Sequence, residues 1–303
     1  MDTKSLRFKI IDGLYIAMMI IPVIIGIVIQ VLTKPESSGI TITGARIFFT
    51  IPMPIQNLLI TEAQLNSAVV IVVILGICLF MTHGLSKDIK LKRQHLAEII
   101  VEKIDAMVNE NMGEYFKGFS PFIIAILALS GLSSLMSLLG LFPPTSDINI
   151  VAGWAILVFI LITYYKLKGG FLSYLKGFTE PIFVMTPLNI LGEIATPVSM
   201  AFRHYGNIMS GSVIAVLIAV ALQGLSNMVL GWLPGALGDI PFLQMGIPAV
   251  LSLYFDIFSG CIQAYIFAML TMLNISGAFP QDEFEKRMKK KLAKKEKVLQ
   301  INN

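Results

Sequence analysis

The chain has 303 residues, of which 55% are hydrophobic and only 14% charged, with a mean hydropathy of +0.78. Soluble domains carry about 25% charged residues, so a soluble globule is excluded and no large soluble domain has room to form. The net charge of +4 comes from 23 basic and 19 acidic side chains, few enough that each one inside an apolar tract needs its own account.

The first apolar tract, Ile10 to Leu32, is broken only by Asp12 and follows Lys4, Arg7 and Lys9. It is too long for the apolar region of a signal peptide and lacks a small-residue cleavage site, so it reads as an uncleaved first span. Ala63 to Met81 is the second span. After it, Leu96, Ile99, Ile100, Ile104, Met107 and Val108 recur at helical spacing, with Arg93, Glu98, Glu102 and Asp105 elsewhere on the wheel. That pattern predicts an amphipathic helix, lying on the cytoplasmic membrane surface or packed on a partner domain. Pro121 to Phe142 and Ile148 to Tyr165 supply the third and fourth spans.

Two later tracts are longer. Phe183 to Leu222 would be roughly 60 Å as a helix and Ile240 to Ile275 roughly 54 Å, against a hydrocarbon core of about 30 Å. Pro187, Pro197, Pro241 and Pro248 offer kinks, and broken or oblique helices at membrane depth belong against protein or a wetted cavity. Near its C-terminal end the chain carries the basic run KRMKKKLAKKEK, which reads as a solvated or lipid-facing anchor.

Lys and Arg accumulate in cytoplasmic loops, and this orients the chain. Twenty basic residues fall on one side: before the first span, between the second and third, after the fourth, and in the tail. Only Lys34 and Arg46 fall on the other, and Arg203 stays within a span. Both termini are therefore expected in the cytoplasm, with each long tract crossing once; four crossings, each tract split in two, remain as the alternative. The fold class is all-α: a polytopic membrane protein of about six membrane helices, the last two long and strongly tilted, plus the amphipathic surface helix. Cys78 and Cys261 lie in apolar runs without CxxC spacing, and HExxH, GxSxG and P-loop patterns are absent, so neither a metal or other cofactor nor a hydrolytic site is expected.

Arg203 sits near the middle of the 40-residue tract, where even low estimates put a charge at about +2.5 to 3.5 kcal/mol. Its guanidinium does not deprotonate, so it cannot relay a proton; it can hold a carboxylate ionised or block ions from passing. Asn207 lies one turn on, on the same face, and Glu193 ten residues earlier, about a quarter-turn away; His204 adjoins the arginine. On the second tract Asp256 and Gln263 are seven residues apart, which places them on one stripe of an α-helix. Two polar stripes on oblique helices suggest a hydrated path. An internal ion pair of Arg203 with Asp256 or Glu193, fixing the hairpin, is the structural alternative.

At these residues the chain resembles subunit a of the F-type rotary ATP synthases. The stretches that carry the likeness are TPLNILGEIATPVSMAFRHYGN from Thr186, IQAYIFAMLTML from Ile262 and, more weakly, PTSDINIVAGWAI from Pro144. The resemblance divides the chain into an N-terminal extension with an extra span (1–55), a subunit a-like membrane domain (56–281) and a basic cytoplasmic tail (282–303). It implies a non-catalytic, ion-translocating stator in the cell membrane, with two half-channels for protons or sodium ions against a c-ring of proteolipid subunits. The implied partners are that ring, b-type peripheral stalk subunits, the rest of the complex and the bilayer, with no nucleic acid. Arg203 matches the family's essential arginine, Asn207 and Gln263 its polar neighbours, Glu193 an acidic position on the same helix, and Asp256 a position tied to the inlet. His204 and Tyr205 replace the usual leucine and phenylalanine, and Ser212 stands where many members carry glutamate, so Asp256 is expected to carry more of the inlet. A secondary transporter with a midplane substrate site is the competing class, against which the absence of an internal repeat counts.

Overall fold

The computed structural model describes residues 3–33, 44–54, 56–86, 91–179, 182–230, 246, 250–251, 253–282, 284–286 and 288–289. Lys34, Lys87, Lys90, Pro241, Pro248 and the tail beyond Lys289 lie outside them. Among the described residues six helices are long and apolar enough to cross a membrane: Leu6–Thr33, Glu62–Thr82, Ser120–Leu139, Ile148–Lys168, Phe183–Val229 and Tyr254–Ala278. The protein is an all-α polytopic membrane protein, as its composition requires.

Helix α1 (Thr3–Thr33) lies along α2 (Glu62–Thr82) and is fastened at both ends. At one end Asp12, the single charge within the first apolar tract, is doubly compensated. Its carboxylate accepts from Arg93 Nη1 at 2.8 Å and lies 2.8 Å from His83 Nδ1, while Arg93 Nη2 donates to the His83 carbonyl at 2.8 Å. The guanidinium rests over Phe80 and Phe8, 4.7 and 5.1 Å from the ring centroids, and Phe8 stacks on His83. Gly84 completes this corner at φ +80°, and a Cβ there would fall 2.6 Å from the Phe8 ring, so both the backbone and the space call for glycine. At the other end Arg46 reaches the buried Glu62 carboxylate at 2.8 and 3.1 Å and the Thr33 carbonyl at 2.9 Å.

Between α1 and α2 the chain makes a short antiparallel hairpin, β1 (Ile47–Ile51) with β2 (Leu58–Thr61), which the search for helical spans did not anticipate. The run IFFTI is β-branched and aromatic and is followed by Pro52 and Pro54, which suits two short strands and not a helix. Thr61 then starts α2 with a reciprocal capping box to Gln64.

The amphipathic helix is α3 (Lys92–Met112), and its apolar stripe divides. Val108 and Met112 are buried in the bundle core with Ile104 and Met107 against them, whereas Leu96, Ile99 and Ile100 stay open. The half that packs therefore does so on the chain's own helices.

The bundle proper joins α4 (Ser120–Leu135), α5 (Ile148–Lys168), α7 (Thr186–Leu230) and α8 (Gly260–Ala278), with the short α6 (Phe171–Thr179) leading into α7. Lipid tails are as apolar as leucine, so helices in a bilayer associate through close approach. The contact of α4 with α8 has that character: Ser130, Ser133 and Ser134 are buried on α4, and Gly260, Ala264, Ala268 and Thr271 on α8. A Cβ on Gly260 would stand 2.8 Å from Ser134 Cβ. Larger residues, Ile123, Val151, Val158, Phe267, Met272 and Ile275, fill the rest of the core.

Helix α7 is unbroken for 45 residues, and Pro197 sits inside it without dividing it. At 1.5 Å per residue it is about 67 Å long, more than twice the hydrocarbon core, so it has to lie obliquely. The split of this tract into two crossings is thereby overturned. The second long tract is helical through its later two thirds, where a π-helical turn, Tyr254–Ser259, runs directly into α8.

The two-ended latch on α1 gives a first prediction. Arg93→Met leaves Asp12 with one partner at a site where its side chain is 21% exposed, and should cost about 2 kcal/mol, below the range for a fully buried pair because water still reaches it. Thermal unfolding in detergent measures this, and adding Asp12→Asn should recover part of the loss.

Candidate functional site

Helix α7 has two unlike sides. Met200, Ala201 and His204 are buried against the bundle, while Val198, Phe202 and Arg203 are exposed. Arg203 makes no ion pair among the described residues, so the internal-pair alternative does not hold for Glu193. The Glu193 carboxylate instead takes Lys166 Nζ at 3.0 Å and the Tyr174 hydroxyl at 3.2 Å, and is 10% exposed. Burial and the neighbouring carboxylate push the Tyr174 phenol up, which keeps it a donor.

Three adjoining cavities connect this pair to the arginine. The first, about 480 Å³, lies among Lys166, Tyr174, Asn189 and Glu193; the second, about 240 Å³, among Lys166, Glu193, Thr196 and Asn274. The third, about 320 Å³, is bounded by Thr196, Ser199, Asn274 and Arg203. Shared walls at Glu193, Thr196 and Asn274 make them one polar cleft between α5, α6, α7 and α8. From Glu193 to Arg203 is ten residues, about 15 Å along the helix and of the order of half a hydrocarbon core.

Beyond Arg203 the helices come together. One turn on, Asn207 Nδ2 donates to Ser259 Oγ at 2.7 Å, and one turn further Gly211 lies under Phe255, whose ring a Cβ would meet at 3.0 Å. Both contacts are made to the π-helical turn that carries Asp256, which is half-buried there. The π turn winds more loosely than an α-helix, so the uniform spacing behind the expected Asp256–Gln263 stripe does not hold across residues 254–259. Gln263 is buried within α8.

The remaining two expected residues stand apart from the cleft walls. His204 is fully buried, with Nε2 3.3 Å from Ser130 Oγ and its ring edge-on to Trp154 and Phe267; its Nδ1 has no hydrogen-bond partner among the described residues. Ser212 is exposed and donates to the Met209 carbonyl at 2.8 Å.

Lys166, Tyr174 and Asn274 are cleft residues that sequence reasoning passed over. Lys166 counted as a loop charge because the fourth apolar tract ends at Tyr165, yet α5 continues to Lys168 and turns the ammonium inward. Lysine following directly on an apolar span, with a glutamate on the next long tract, was the available signal.

Comparison with known proteins agrees with this geometry. Residues 65–276 match the family described as ATP synthase A chain, so that α1 and the hairpin precede the match. ATP synthase subunit a of Trichlorobacter lovleyi is 31% identical over 237 residues, covering 75% of this chain and 93% of its own length. ATP synthase subunit a 1 of Crocosphaera subtropica is 31% identical over 215 residues, 69% of this chain and 82% of its own. The sodium ion specific ATP synthase subunit a of Propionigenium modestum is 35% identical over 142 residues, 46% of this chain and 42% of its own. With six helices among the described residues long and apolar enough to cross a membrane, an arginine within the fifth of them at the end of a polar cleft and a match across 65–276, the chain belongs to the ATP synthase A chain family.

Proposed function

We propose that this chain is the ion-translocating stator subunit of a rotary ATP synthase, working against a ring of proteolipid subunits whose carboxylates carry the ion. The observation that carries this reading is the polar cleft that begins at the Lys166–Glu193 pair and ends at Arg203. Its mouth lies at the ends of α5 and α6, with Lys168 and Lys176 nearby in sequence, and basic residues mark the cytoplasmic side. The cleft is then the cytoplasmic half-channel, and both termini face the cytoplasm of the cell membrane.

Arg203 supplies a charge that no pH change removes. A ring carboxylate arriving beside it is favoured in its ionised form, so its proton or sodium ion is released into the cleft and leaves past Thr196, Asn274 and Glu193. The same fixed cation repels an ion moving directly between the two half-channels. On the far side Asp256, Asn207 and Gln263 flank the inlet, with Ser212 and His204 on the adjoining turns of α7. The chain itself carries no catalytic site; nucleotide chemistry belongs to the rest of the complex, to which b-type stalk subunits tie it.

Arg203→Ala in the assembled complex should leave ring and head copurifying while ion-driven ATP synthesis falls to the level of an uncoupled membrane. Normal synthesis in that variant would sink the mechanism. Asp256→Asn should slow coupled transport by about a hundredfold, the lower range for a positioned proton-transfer group, with assembly intact. Transport equal to the parent's across a pH series would remove Asp256 from the path.

A further inference from the structure

The cleft has a feature that ion release at Arg203 does not require: its mouth is spanned by an ion pair. Lys166 reaches from α5 and Glu193 from α7, and both line the two outer cavities. Tyr174, on α6, donates to the same carboxylate, so three helices converge on one charged group. The charged and titratable residues along the cleft walls are Lys166, Tyr174, Glu193 and Arg203; the α8 wall contributes Leu270, Leu273 and Asn274 but no charge. Among these lining residues Lys166 and Glu193 cancel each other at the mouth, with Lys168 and Lys176 nearby in sequence. Were Lys166 neutral, Glu193 would be the one uncompensated charge lining the two outer cavities, and a carboxylate set against low-dielectric walls attracts cations and raises their local concentration.

We propose that Lys166 is a charge-setting residue of the cytoplasmic half-channel: by pairing with Glu193 across the mouth it cancels the cleft's attraction for cations and limits their uptake from the cytoplasm. This rests on the cleft being that half-channel. In the direction of ATP hydrolysis the cytoplasmic cation enters here, so Lys166 sets how high its concentration must be to fill the path. The pair is partly open, with Lys166 32% and Glu193 10% exposed, so it can part as an ion passes.

The test uses the intact complex in inside-out vesicles, with the initial rate of ATP-driven uptake of H⁺ or Na⁺, whichever the parent transports, followed against its external concentration at low and at about 1 M salt. Lys166→Gln is expected to lower the half-saturating concentration about three- to fivefold at low salt, less than a cleft lined wholly by one sign would give. At high salt, where the Debye length is about 3 Å, the difference should vanish. Lys166→Arg should follow the parent, and Glu193→Gln should shift the other way. A Lys166→Gln curve that superposes on the parent's at both salts overturns the proposal, as does a shift that survives high salt, which a purely structural tie between α5 and α7 would produce. If Lys166→Gln does not assemble, Lys166→Met takes its place, keeping the length of the side chain without its charge. A half-saturating concentration lowered at low salt alone supports the charge account, and one equal to the parent's defeats it. Arg203→Ala separates the levels: coupled transport retained there undoes the path itself, whereas its loss beside an unchanged Lys166→Gln curve removes only the role of Lys166.

Discussion

A charge in hydrocarbon costs several kcal/mol unless a counter-charge, hydrogen bonds or water meet it, and that cost organises this protein. Each acidic or basic side chain that α1, α2, α5 and α7 carry into the bilayer region is met by a definite device. Asp12 is held by Arg93 and His83, Glu62 by Arg46, and Glu193 by Lys166 and Tyr174. Arg203 differs, since it opens onto a polar cavity and onto the exposed face of α7. Where the other charges tie helices together, this one is presented outward.

That presentation depends on packing elsewhere. Serines of α4 against glycine, alanine and threonine of α8 let two helices approach closely, and Phe267 of α8 with Trp154 of α5 makes the aromatic wall that receives His204. With His204 turned inward, Arg203, the residue before it on the helix, lies on the exposed side. The same helix meets the π-helical turn through Asn207 and through Gly211. The cleft on one side of the arginine and the close contact on the other thus both follow from how α7 is seated.

Much of this was legible in the chain. Hydropathy alone places the six spans to within a few residues at most ends, because a bilayer demands about twenty apolar residues per crossing whatever surrounds them. The amphipathic pattern from Arg93 to Val108 and the prominence of Arg203 are visible for the same reason: each is a departure from uniform apolarity. Less was visible where the outcome depends on local geometry. Seven-residue spacing put Asp256 and Gln263 on one stripe only if the winding was uniform, and the π-helical turn breaks that assumption. The hairpin between α1 and α2 was hidden because short strands leave little periodicity to read.

The sequence by itself determined that the chain is a helical membrane protein, that its basic residues are spread unevenly between the loops and that Arg203 needs an explanation of its own, since these follow from single residues and what a bilayer tolerates. Only the tertiary structure decided which charges meet. Asp12 and Arg93 are 81 residues apart, and Lys166 and Glu193 belong to different helices, joined when α5, α6 and α7 come together. Pairing is a property of distance in space, which a one-dimensional reading does not contain. The cleft between the mouth and the arginine therefore emerged only with the fold.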